Sequence, residues 1–414
     1  MKEWSKITTD SHVLDIVAHC HLNIPVDDVS PLFHEDIEYI FNEEDKGILC
    51  QEISKLLDLK VIKETRRLGG QILSPVFLRK KKDGGVRMIL NLEKLNTHIP
   101  YQHFKMENFD QAIRLINKGD YMASVDLRHA YYTIKIAEEQ QRFLCFKWQG
   151  RIYQFTCLPN GFAEGPRLFT KLMKPVYAKL RELGHVITSF IDDTLIAHST
   201  FSGCLESVNA TVQMLRNLGF CINEDKSLLT PTTRLEYLGN VIDSISMTVS
   251  LPERRKCKLI HSCEELYSCG KARIRDVARV IGLLVAAIPA VEMGKLHYRK
   301  LESAKISALQ NVKGNFNKWM DVTDDMRSDL SWWLNNITLQ TRQIFRSGTE
   351  LDLYTDASNL GWGGSLNERQ INGRWSPLES DLHINAKELK AILLTLQSFK
   401  LASQANIFGC FVIT

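Results

Sequence analysis

Apolar residues recur along the middle of the chain with two periods, one typical of strands and one typical of helices. An extended stretch ends near Asp126, and a loop then leads to an amphipathic helix. Two short apolar strands lie within 186–197, a second amphipathic helix covers 205–220, and another strand covers 235–243. The order strand–helix–strand–strand–helix–strand predicts a split βαβ sheet with helices on one face.

The segments on either side of this region have different patterns. Residues 1–70 predict mostly polar helices, including an amphipathic helix at Cys50–Glu64 that leads into a strand. The next segment predicts two strands joined by a turn at 83–85, where glycine accepts positive φ. Residues 251–347 predict basic helices, and the final segment predicts a strand, an Asp-containing turn, a glycine-rich strand and a helix.

Composition limits the class of protein. The chain has 414 residues, of which 44% are hydrophobic, enough for two or three domains with real cores. Its longest apolar run, near 280–291, is too short to span a membrane, and the first ten residues lack an apolar signal core. We therefore expect a soluble, intracellular protein, cytoplasmic or nuclear.

Ten cysteines are scattered along the chain and fit a reducing compartment. Cys257, Cys263 and Cys269 recur every six residues, with His261 among them. A metal knuckle would use such residue types, but the pattern favours a helix with ordinary thiols.

Two adjacent carboxylates, Asp192 and Asp193, lie between the two short apolar strands. The simplest explanation is a solvated hairpin turn, in which Asp is common. The alternative is a metal site, because neighbouring carboxylates repel each other unless a cation lies between them. Mg²⁺ is typically held by one or two carboxylates together with the phosphates of a substrate.

A third carboxylate favours the metal site. Asp126 ends the first strand of the predicted sheet, which should lie beside the hairpin and bring Asp126 towards Asp192 and Asp193. Three carboxylates at one sheet edge indicate a two-metal centre for phosphoryl or nucleotidyl transfer. Lys81 and Arg87, in the basic run 77–87, could clamp a triphosphate, and Gly161 would let the backbone approach a substrate.

Several motifs in this order resemble the reverse transcriptases of retroviruses and long-terminal-repeat retrotransposons. They are KKKDGGVR (80–87), SVDLRHAYY (124–132), LPNGFAEGPRLF (158–169), FIDD (190–193), EDKS (224–227) and EYLGNVI (236–242). The stretches HFKMENF (103–109), FTKLMKPVYA (169–178) and RWSPLESDLHINAKEL (374–389) most resemble the tyrosine-recombinase elements known as DIRS-type. The resemblance spans about residue 70 to the end of the chain.

The resemblance implies an α+β right-hand polymerase followed by a partial ribonuclease H-like domain. The boundaries it implies are a helical lead at 1–70, fingers and palm at 71–245, thumb and connection helices at 246–347, and the ribonuclease H-like part at 348–414. It implies Mg²⁺, or Mn²⁺, as the cofactor. The implied partners are an RNA template, a DNA primer, dNTPs and other retroelement proteins, with no membrane.

Individual roles follow from the same motifs. Asp126, Asp192 and Asp193 would be the catalytic metal ligands, and Lys81 and Arg87 would hold the incoming triphosphate. Tyr131 falls where the family blocks a ribose 2′-hydroxyl, although it could equally be a core aromatic. Lys226 falls where a lysine protonates pyrophosphate, or is a surface residue. Asn160, beside Gly161, stands where relatives often carry Gln for contact with template or nucleotide.

The tail resembles a retroviral-type ribonuclease H in YTDASNLGWGG (354–364) and HINAKELKAILL (383–394). Asp356 and Glu388 would then be metal carboxylates. Such sites need four carboxylates, and the sequence stops at Thr414 where we expect the third, so we expect no ribonuclease H activity.

Other functions remain open from sequence alone. A group II intron or telomerase-like polymerase would usually lack the ribonuclease-like tail. A decayed or domesticated nucleic-acid-binding remnant would not need the three aspartates.

Overall fold

The computed structural model describes residues 1–34, 41–80, 85–291, 293–344, 351–366, 369–399 and 408–412. The chain divides into two compact units, Met1–Ile344 and Phe345–Thr414. Among the described residues, no helix has the length and apolar character needed to cross a membrane.

Eleven α-helices are described in the first unit: α1 Ser11–His19, α2 Val26–Val29, α3 Glu43–Asp58, α4 Glu93–Asn96, α5 Phe109–Arg114, α6 Gly165–Glu182, α7 Phe201–Asn217, α8 Glu253–Ser268, α9 Ile274–Ala287, α10 Arg299–Asn311 and α11 Asp324–Asn336. Its described strands are β1 Ile62–Thr65, β2 Val76–Lys80, β3 Val86–Leu90, β4 Tyr121–Arg128, β5 Cys145–Trp148, β6 Arg151–Phe155, β7 Val186–Phe190, β8 Asp193–His198, β9 Cys221–Ile222, β10 Leu228–Thr232, β11 Arg234–Tyr237, β12 Asn240–Asp243, β13 Thr248–Ser250, β14 Lys271–Arg273, β15 Trp319–Asp321 and β16 Arg342–Gln343. Short 3₁₀ turns lie at Trp4–Lys6, Ser30–His34, Ala130–Thr133, Glu138–Phe143, Ile288–Ala290 and Gly294–Leu296.

The central sheet has the strand order β10–β4–β8–β7, and all three of these pairings are antiparallel. Helix α6 lies between β4 and β7 in the chain, after the β5–β6 hairpin, and α7 lies between β8 and β10, before the short β9. This is the split βαβ arrangement that the apolar pattern predicted. The fourth strand was placed wrongly: it is Leu228–Thr232, whereas 235–243 forms the hairpin β11–β12 of a separate sheet with β13 and β16.

The central sheet is buried on both faces. Side chains alternate between the two faces along each strand, so neighbouring residues belong to different cores. On β8, Ile196 belongs to a core that includes α6 and α7, while Leu195 and Ala197 belong to a second core formed with α8, α9 and α11. The apolar stripe of α9 faces this second core, where Trp333 of α11 is also fully buried. Helices α8 to α11 occupy most of residues 253–336, within the region 251–347 that was predicted to be helical.

The N-terminal residues are part of the first core. Trp4 and Val13 are buried in it, and Cys20 N donates to Lys135 O at 2.8 Å. The predicted helix at Cys50–Glu64 is wrong in its bounds: α3 runs from Glu43 to Asp58, and β1 begins at Ile62. Asn42 caps α3, since its side chain accepts from Asp45 N, and three acidic residues follow in the first turn.

The remaining strands of the first unit form small sheets. Strands β1, β6 and β5 form one antiparallel sheet, β2 and β3 form a two-stranded ribbon, and β14 pairs with β15. The turn predicted at 83–85 falls between β2 and β3, and residues 81–84 lie outside the described residues, so the structure gives no position for Lys81.

The described residues of the second unit form a four-stranded sheet and two helices. Its elements are β17 Leu351–Ala357, β18 Gly361–Leu366, β19 Arg369–Arg374, α12 Pro377–Ser380, α13 Ile384–Ser398 and β20 Phe408–Val412. The order is β19–β18–β17–β20, with β20 parallel to β17. Helix α13 packs on β17 and β18 through Ala391 and Thr395, and a Cβ on Gly364 would lie 2.2 Å from the Thr395 hydroxyl. The strand β19 was not predicted from the sequence.

Candidate active site

The hairpin that carries the paired aspartates has a two-residue turn. Phe190 pairs with Asp193, so the turn residues are Ile191 and Asp192, and Asp193 is the first residue of β8. The prediction that Asp192 and Asp193 form the tip is wrong by one residue, because the apolar register of β8 extends back to Asp193. Ile191 has φ +54°, a conformation that costs a β-branched residue about 1–2 kcal/mol.

Asp126 lies directly across the sheet from Asp193. The two residues are register partners in the β4–β8 pair, and Leu127 N donates to Asp192 O at 3.1 Å. The sequence predicted that these three carboxylates belong to neighbouring strands at one sheet edge. In the structure Asp193, rather than Asp192 as expected, lies opposite Asp126, and Asp192 lies in the adjacent turn.

The pKa values of Asp192 and Asp193 are both raised. Burial, followed by the charges of Asp192 and Asp126, raises the pKa of Asp193 to about 7. Burial and the charge of Asp126 also raise the pKa of Asp192, and Lys226 and Arg87 oppose that rise. A concentration of negative charge of this kind is unfavourable without a cation.

The donor set fits a hard divalent cation, because it consists of carboxylate oxygens. Among the residues that the structure describes, no group of three or more His, Cys, Asp or Glu side chains is already arranged so that it could hold a metal ion. The fit therefore rests on the donor chemistry and on the mutual repulsion of the carboxylates.

Asp126 and Asp192 both line a cavity of about 880 Å³. The same cavity is lined by Arg87 on β3, Tyr131, Asn160 and Lys226. Six residues that the sequence singled out from five separate segments thus share one concave surface, large enough for a nucleotide-sized ligand.

Two cations face this carboxylate group. Arg87 and Lys226 are both exposed, and the charge of each lowers the pKa of Asp192. Lys226 lies on the turn 224–226, and its backbone N donates to Asn223 O at 3.2 Å. Both side chains are therefore placed to attract an anionic ligand into the cavity.

Tyr131 and Tyr132 lie side by side on the 3₁₀ turn after β4, and both line the cavity. Tyr131 packs edge-on against Phe169, with ring centroids 5.6 Å apart. Burial, together with the charge of Asp192, raises the pKa of Tyr131 to about 12, so its hydroxyl stays protonated at neutral pH. Tyr132 is engaged differently: its hydroxyl accepts from Asn160 Nδ2 at 3.4 Å.

Gly161 lies on a neighbouring cavity of about 470 Å³ rather than on the main one. Its φ of +97° is one that glycine adopts without strain. Asn96 holds this loop by donating to Gly161 O at 2.8 Å and accepting from Ala163 N at 2.9 Å. The loop that presents Asn160 is thus fixed from both sides.

Sequence reasoning missed four contributors. Glu52 and Lys55 of α3 line the main cavity, although residues 1–70 had no assigned chemistry. Asn223 donates from Nδ2 to Asp126 Oδ1 at 2.6 Å, and Glu107 accepts from Ser189 N of β7 at 3.0 Å. The signal for Asn223 was its position directly before EDKS, while no local pattern distinguishes Glu107.

In the second unit, Asp356 lies on β17 and Glu388 on α13, the two elements that pack together. Asp356 is exposed and Glu388 is partly buried. These positions agree with the strand and helix predicted for them.

Residues 79–242 match the family model described as reverse transcriptase (RNA-dependent DNA polymerase). The Pro-Pol polyprotein of Simian foamy virus type 1 is 26% identical over 248 residues, which cover 60% of this chain and 20% of that protein. The enzymatic polyprotein of Cauliflower mosaic virus (strain Strasbourg) is 22% identical over 391 residues, covering 87% of this chain and 52% of that protein. The Transposon Tf2-3 polyprotein of Schizosaccharomyces pombe is 24% identical over 372 residues, which cover 84% of this chain and 25% of that protein.

Solved structures agree on the fold. The foamy viral protease-reverse transcriptase in complex with RNA/DNA hybrid superposes with a TM-score of 0.65 at 18% identity, covering 96% of this chain and 51% of that one. The same protein in complex with dsDNA superposes with a TM-score of 0.62 at 18% identity, covering 100% of this chain and 93% of that one. Residues 79–242 therefore match a reverse transcriptase domain, and the fold is similar to that of the foamy viral protease-reverse transcriptase. This chain spans from a fifth to about half of the curated relatives named above.

Proposed function

We propose that this chain is an RNA-directed DNA polymerase that adds dNTPs to a primer on an RNA or DNA template. The observation that carries the proposal is the cavity of about 880 Å³ in which Asp126 and Asp192 meet Arg87, Tyr131 and Lys226. The reverse transcriptase domain at residues 79–242 supports the same activity.

Asp126, Asp192 and Asp193 would hold Mg²⁺ or Mn²⁺, because their carboxylate oxygens suit hard cations and their charges repel without one. When bound, a pair of such ions would activate the primer hydroxyl and stabilise the leaving oxygen. Arg87 would bind the triphosphate through its guanidinium fork, with Lys81 as a second cation. Lys226 Nζ would donate a proton to the departing pyrophosphate.

Tyr131 would select the sugar. Its ring lines the cavity beside Asp192 and is fixed by Phe169, so it offers a rigid wall rather than a mobile side chain. A 2′-hydroxyl against that wall would clash or lose its hydration. Asn160, held towards Tyr132, would contact the template or the nucleotide from the next loop.

Nucleic acids are the proposed partners, as they are in the foamy viral complexes with RNA/DNA hybrid and with dsDNA. We assign fingers and palm to 71–245 and thumb and connection to 246–347. Most residues of the second core belong to the thumb and connection range. A retrotransposon origin fits the relatives from viruses and from Tf2-3. The DIRS-type subgroup rests on the motifs in 103–109, 169–178 and 374–389 alone.

For the second unit we propose a partial ribonuclease H-like domain. The support is its strand order, with β20 parallel to β17, and the position of Asp356 and Glu388 on packed elements. Asp356 and Glu388 would be two of the metal carboxylates of such a domain, and two are fewer than a two-metal hydrolase needs.

Primer extension on poly(rA)/oligo(dT), with and without Mg²⁺ or Mn²⁺, tests the proposal. We expect metal-dependent extension by the full chain and none by Asp192→Asn, since Asn keeps the shape but loses the charge that attracts the cation. Asp28→Asn, an exposed aspartate on α2 outside the cavity, is the matched control and should retain full activity. Nucleic-acid binding should persist in Asp192→Asn. Full extension by that variant would refute the assignment, and binding without extension by the unaltered chain would indicate a non-catalytic remnant.

A further inference from the structure

The fourth strand of the central sheet is interrupted directly opposite Asp126. Strand β9 pairs with Leu127 and Arg128 on one side of that position, and β10 pairs with Ser124 and Met122 on the other. Residues 223–227 form a loop between β9 and β10. Asp126 is therefore the residue of β4 whose neighbour on this side is a loop instead of a strand.

The loop replaces the missing ladder with its own contacts to Asp126. Asn223 N donates to Asp126 O at 2.8 Å, and Asp126 N donates to Ser227 Oγ at 2.9 Å. Ser227 Oγ in turn donates to Asn223 O at 2.8 Å, which closes the loop on itself. The backbone of Asp126 is thus satisfied without side-chain help from Asn223.

The side chain of Asn223 makes an additional contact. Its Nδ2 donates to Asp126 Oδ1 at 2.6 Å, a bond between a neutral amide and a carboxylate oxygen. A neutral donor fixes the orientation of a carboxylate but leaves its charge available, whereas Lys or Arg would neutralise it. Hydrogen bonds of this type to metal-ligating groups commonly set metal affinity.

The same loop carries Lys226. Asn223 O accepts from Lys226 N at 3.2 Å and from Ser227 N at 2.9 Å, so Asn223 also organises the turn that presents the lysine. Any displacement of this turn would move Asn223 and disturb its bond to Asp126.

We propose that Asn223 is a positioning residue that orients the Asp126 carboxylate for the divalent cation and couples that orientation to the Lys226 turn. This inference rests on the proposed function for its catalytic meaning, but the metal binding on which it is tested does not require polymerisation. The amide engages Oδ1 of Asp126, which fixes the plane of the carboxylate.

The test compares Asn223→Ala with Ser227→Ala in the full-length protein. Ser227→Ala removes the bond from Asp126 N and the bond to Asn223 O. Asn223 keeps its backbone bonds to Asp126 O and from Ser227 N as well as the amide–carboxylate bond, so this variant is the control for loss of a loop anchor without loss of the amide. Direct Mn²⁺ binding is measured by electron paramagnetic resonance of the free ion, and thermal unfolding is measured on the same samples. In primer extension, kcat and the metal concentration for half-maximal rate are measured separately.

We expect Asn223→Ala to weaken Mn²⁺ binding, and to raise the half-maximal metal concentration, by about tenfold. Ser227→Ala should lower the unfolding temperature and change Mn²⁺ affinity less than about twofold, well below the effect of removing the Asn223 amide. Asn223→Leu, which has a similar volume and no amide, should behave as Asn223→Ala does and replaces it if circular dichroism shows that the alanine variant is unfolded.

Unchanged Mn²⁺ affinity in a folded Asn223 variant would overturn the inference, as would equal weakening in Ser227→Ala, because either result leaves only a structural role. Failure of the proposed function has a different signature. The unaltered chain would then bind Mn²⁺, and Asn223→Ala would weaken that binding, but no variant would extend a primer.

Discussion

Glu107 provides a quantitative test of how the aspartate hairpin is held. Its carboxylate accepts from Thr188 Oγ1 at 2.5 Å and from Ser189 N at 3.0 Å, both on β7, and from Arg181 Nη2 of α6 at 2.5 Å. Arg181 also donates from Nε to Ile187 O at 3.0 Å. One carboxylate thus joins a loop, a helix and the strand that leads into Ile191 and Asp192.

The substitution Glu107→Gln keeps the shape and removes the charge. A hydrogen bond to a charged acceptor contributes about 1.5–3 kcal/mol, against about 1 kcal/mol for a neutral one, so the bonds from Thr188 and Ser189 should each lose about 0.5–1 kcal/mol. Thr188 is buried, with 2% of its surface exposed, so water does not compensate it. The ion pair with Arg181 is partly exposed, at 43% and 35%, and adds at most about 1 kcal/mol. We therefore expect a total loss of about 1–3 kcal/mol at pH 7.

The pKa of Glu107 determines how the stability difference between the two proteins changes with pH. Burial alone would raise the pKa of Glu107, but the bonds from Thr188, Arg181 and Ser189 outweigh it and hold the pKa below its ordinary value of 4.5. A carboxyl group with a lowered pKa stabilises the folded state fully above its unfolded pKa and loses that effect as the pH falls through the folded pKa. The difference between the unaltered chain and Glu107→Gln should therefore shrink below about pH 4.5.

Urea unfolding, followed by circular dichroism at a series of pH values, measures this difference. Glu182→Gln is the matched control, because Glu182 pairs with Lys179 at 3.0 Å on the exposed face of α6 and its loss should cost less than about 0.5 kcal/mol. A difference for Glu107→Gln that stays constant with pH, or grows as the pH falls, would refute the assignment of a charged, hydrogen-bonded carboxylate.

The remaining predictions concern the sugar and the second unit. Tyr131→Ala should raise ribonucleotide incorporation relative to deoxyribonucleotide, whereas Tyr131→Phe should keep the ratio because the ring provides the wall. The ratio of the kcat/KM values for the two nucleotides measures this preference. An unchanged ratio in an active Tyr131→Ala would identify Tyr131 as a core aromatic. The full chain should release no fragments from a labelled RNA–DNA hybrid in Mg²⁺ or Mn²⁺, because Asp356 and Glu388 alone do not hold two metals. Cleavage that disappears in Asp356→Asn would show that other carboxylates complete the site.

The apolar periods were sufficient to predict the central sheet and the helical region after it. Helices α6, α7 and α9 were predicted because each has an apolar stripe facing a core, and the antiparallel β4–β8 register follows from alternation on both strands. The convergence of Asp126 with Asp192 could be predicted for the same reason. Order along the chain, combined with the split βαβ rule, leaves few places for the first strand.

The errors arose where the local residue types favour one structure and the pairing of strands imposes another. Asp-Asp resembles a turn, yet the turn uses Ile191, a residue that rarely adopts positive φ, because the register of β8 is set by its buried positions. The fourth strand was assigned to 235–243, the more regular apolar segment. The true strand is the less apolar Leu228–Thr232, whose pairing with β4 shifts register. Contacts made over long sequence separation, such as Glu107 with Thr188, leave no local signal.

These long-range contacts explain how the fold tolerates three repelling carboxylates. Folding must hold Asp126, Asp192 and Asp193 together although their charges oppose it, and it does so with neutral groups on the backbone around them. The Tyr177 hydroxyl bonds to Thr194 Oγ1 at 2.7 Å, and the Tyr237 hydroxyl donates to Asp193 O at 3.2 Å, which ties the hairpin to α6 and to β11. None of these contacts neutralises a carboxylate, so the negative charge remains for a cation to bind. The proposed cation would therefore restore the stability lost to repulsion, since a ligand that binds only the folded state stabilises it.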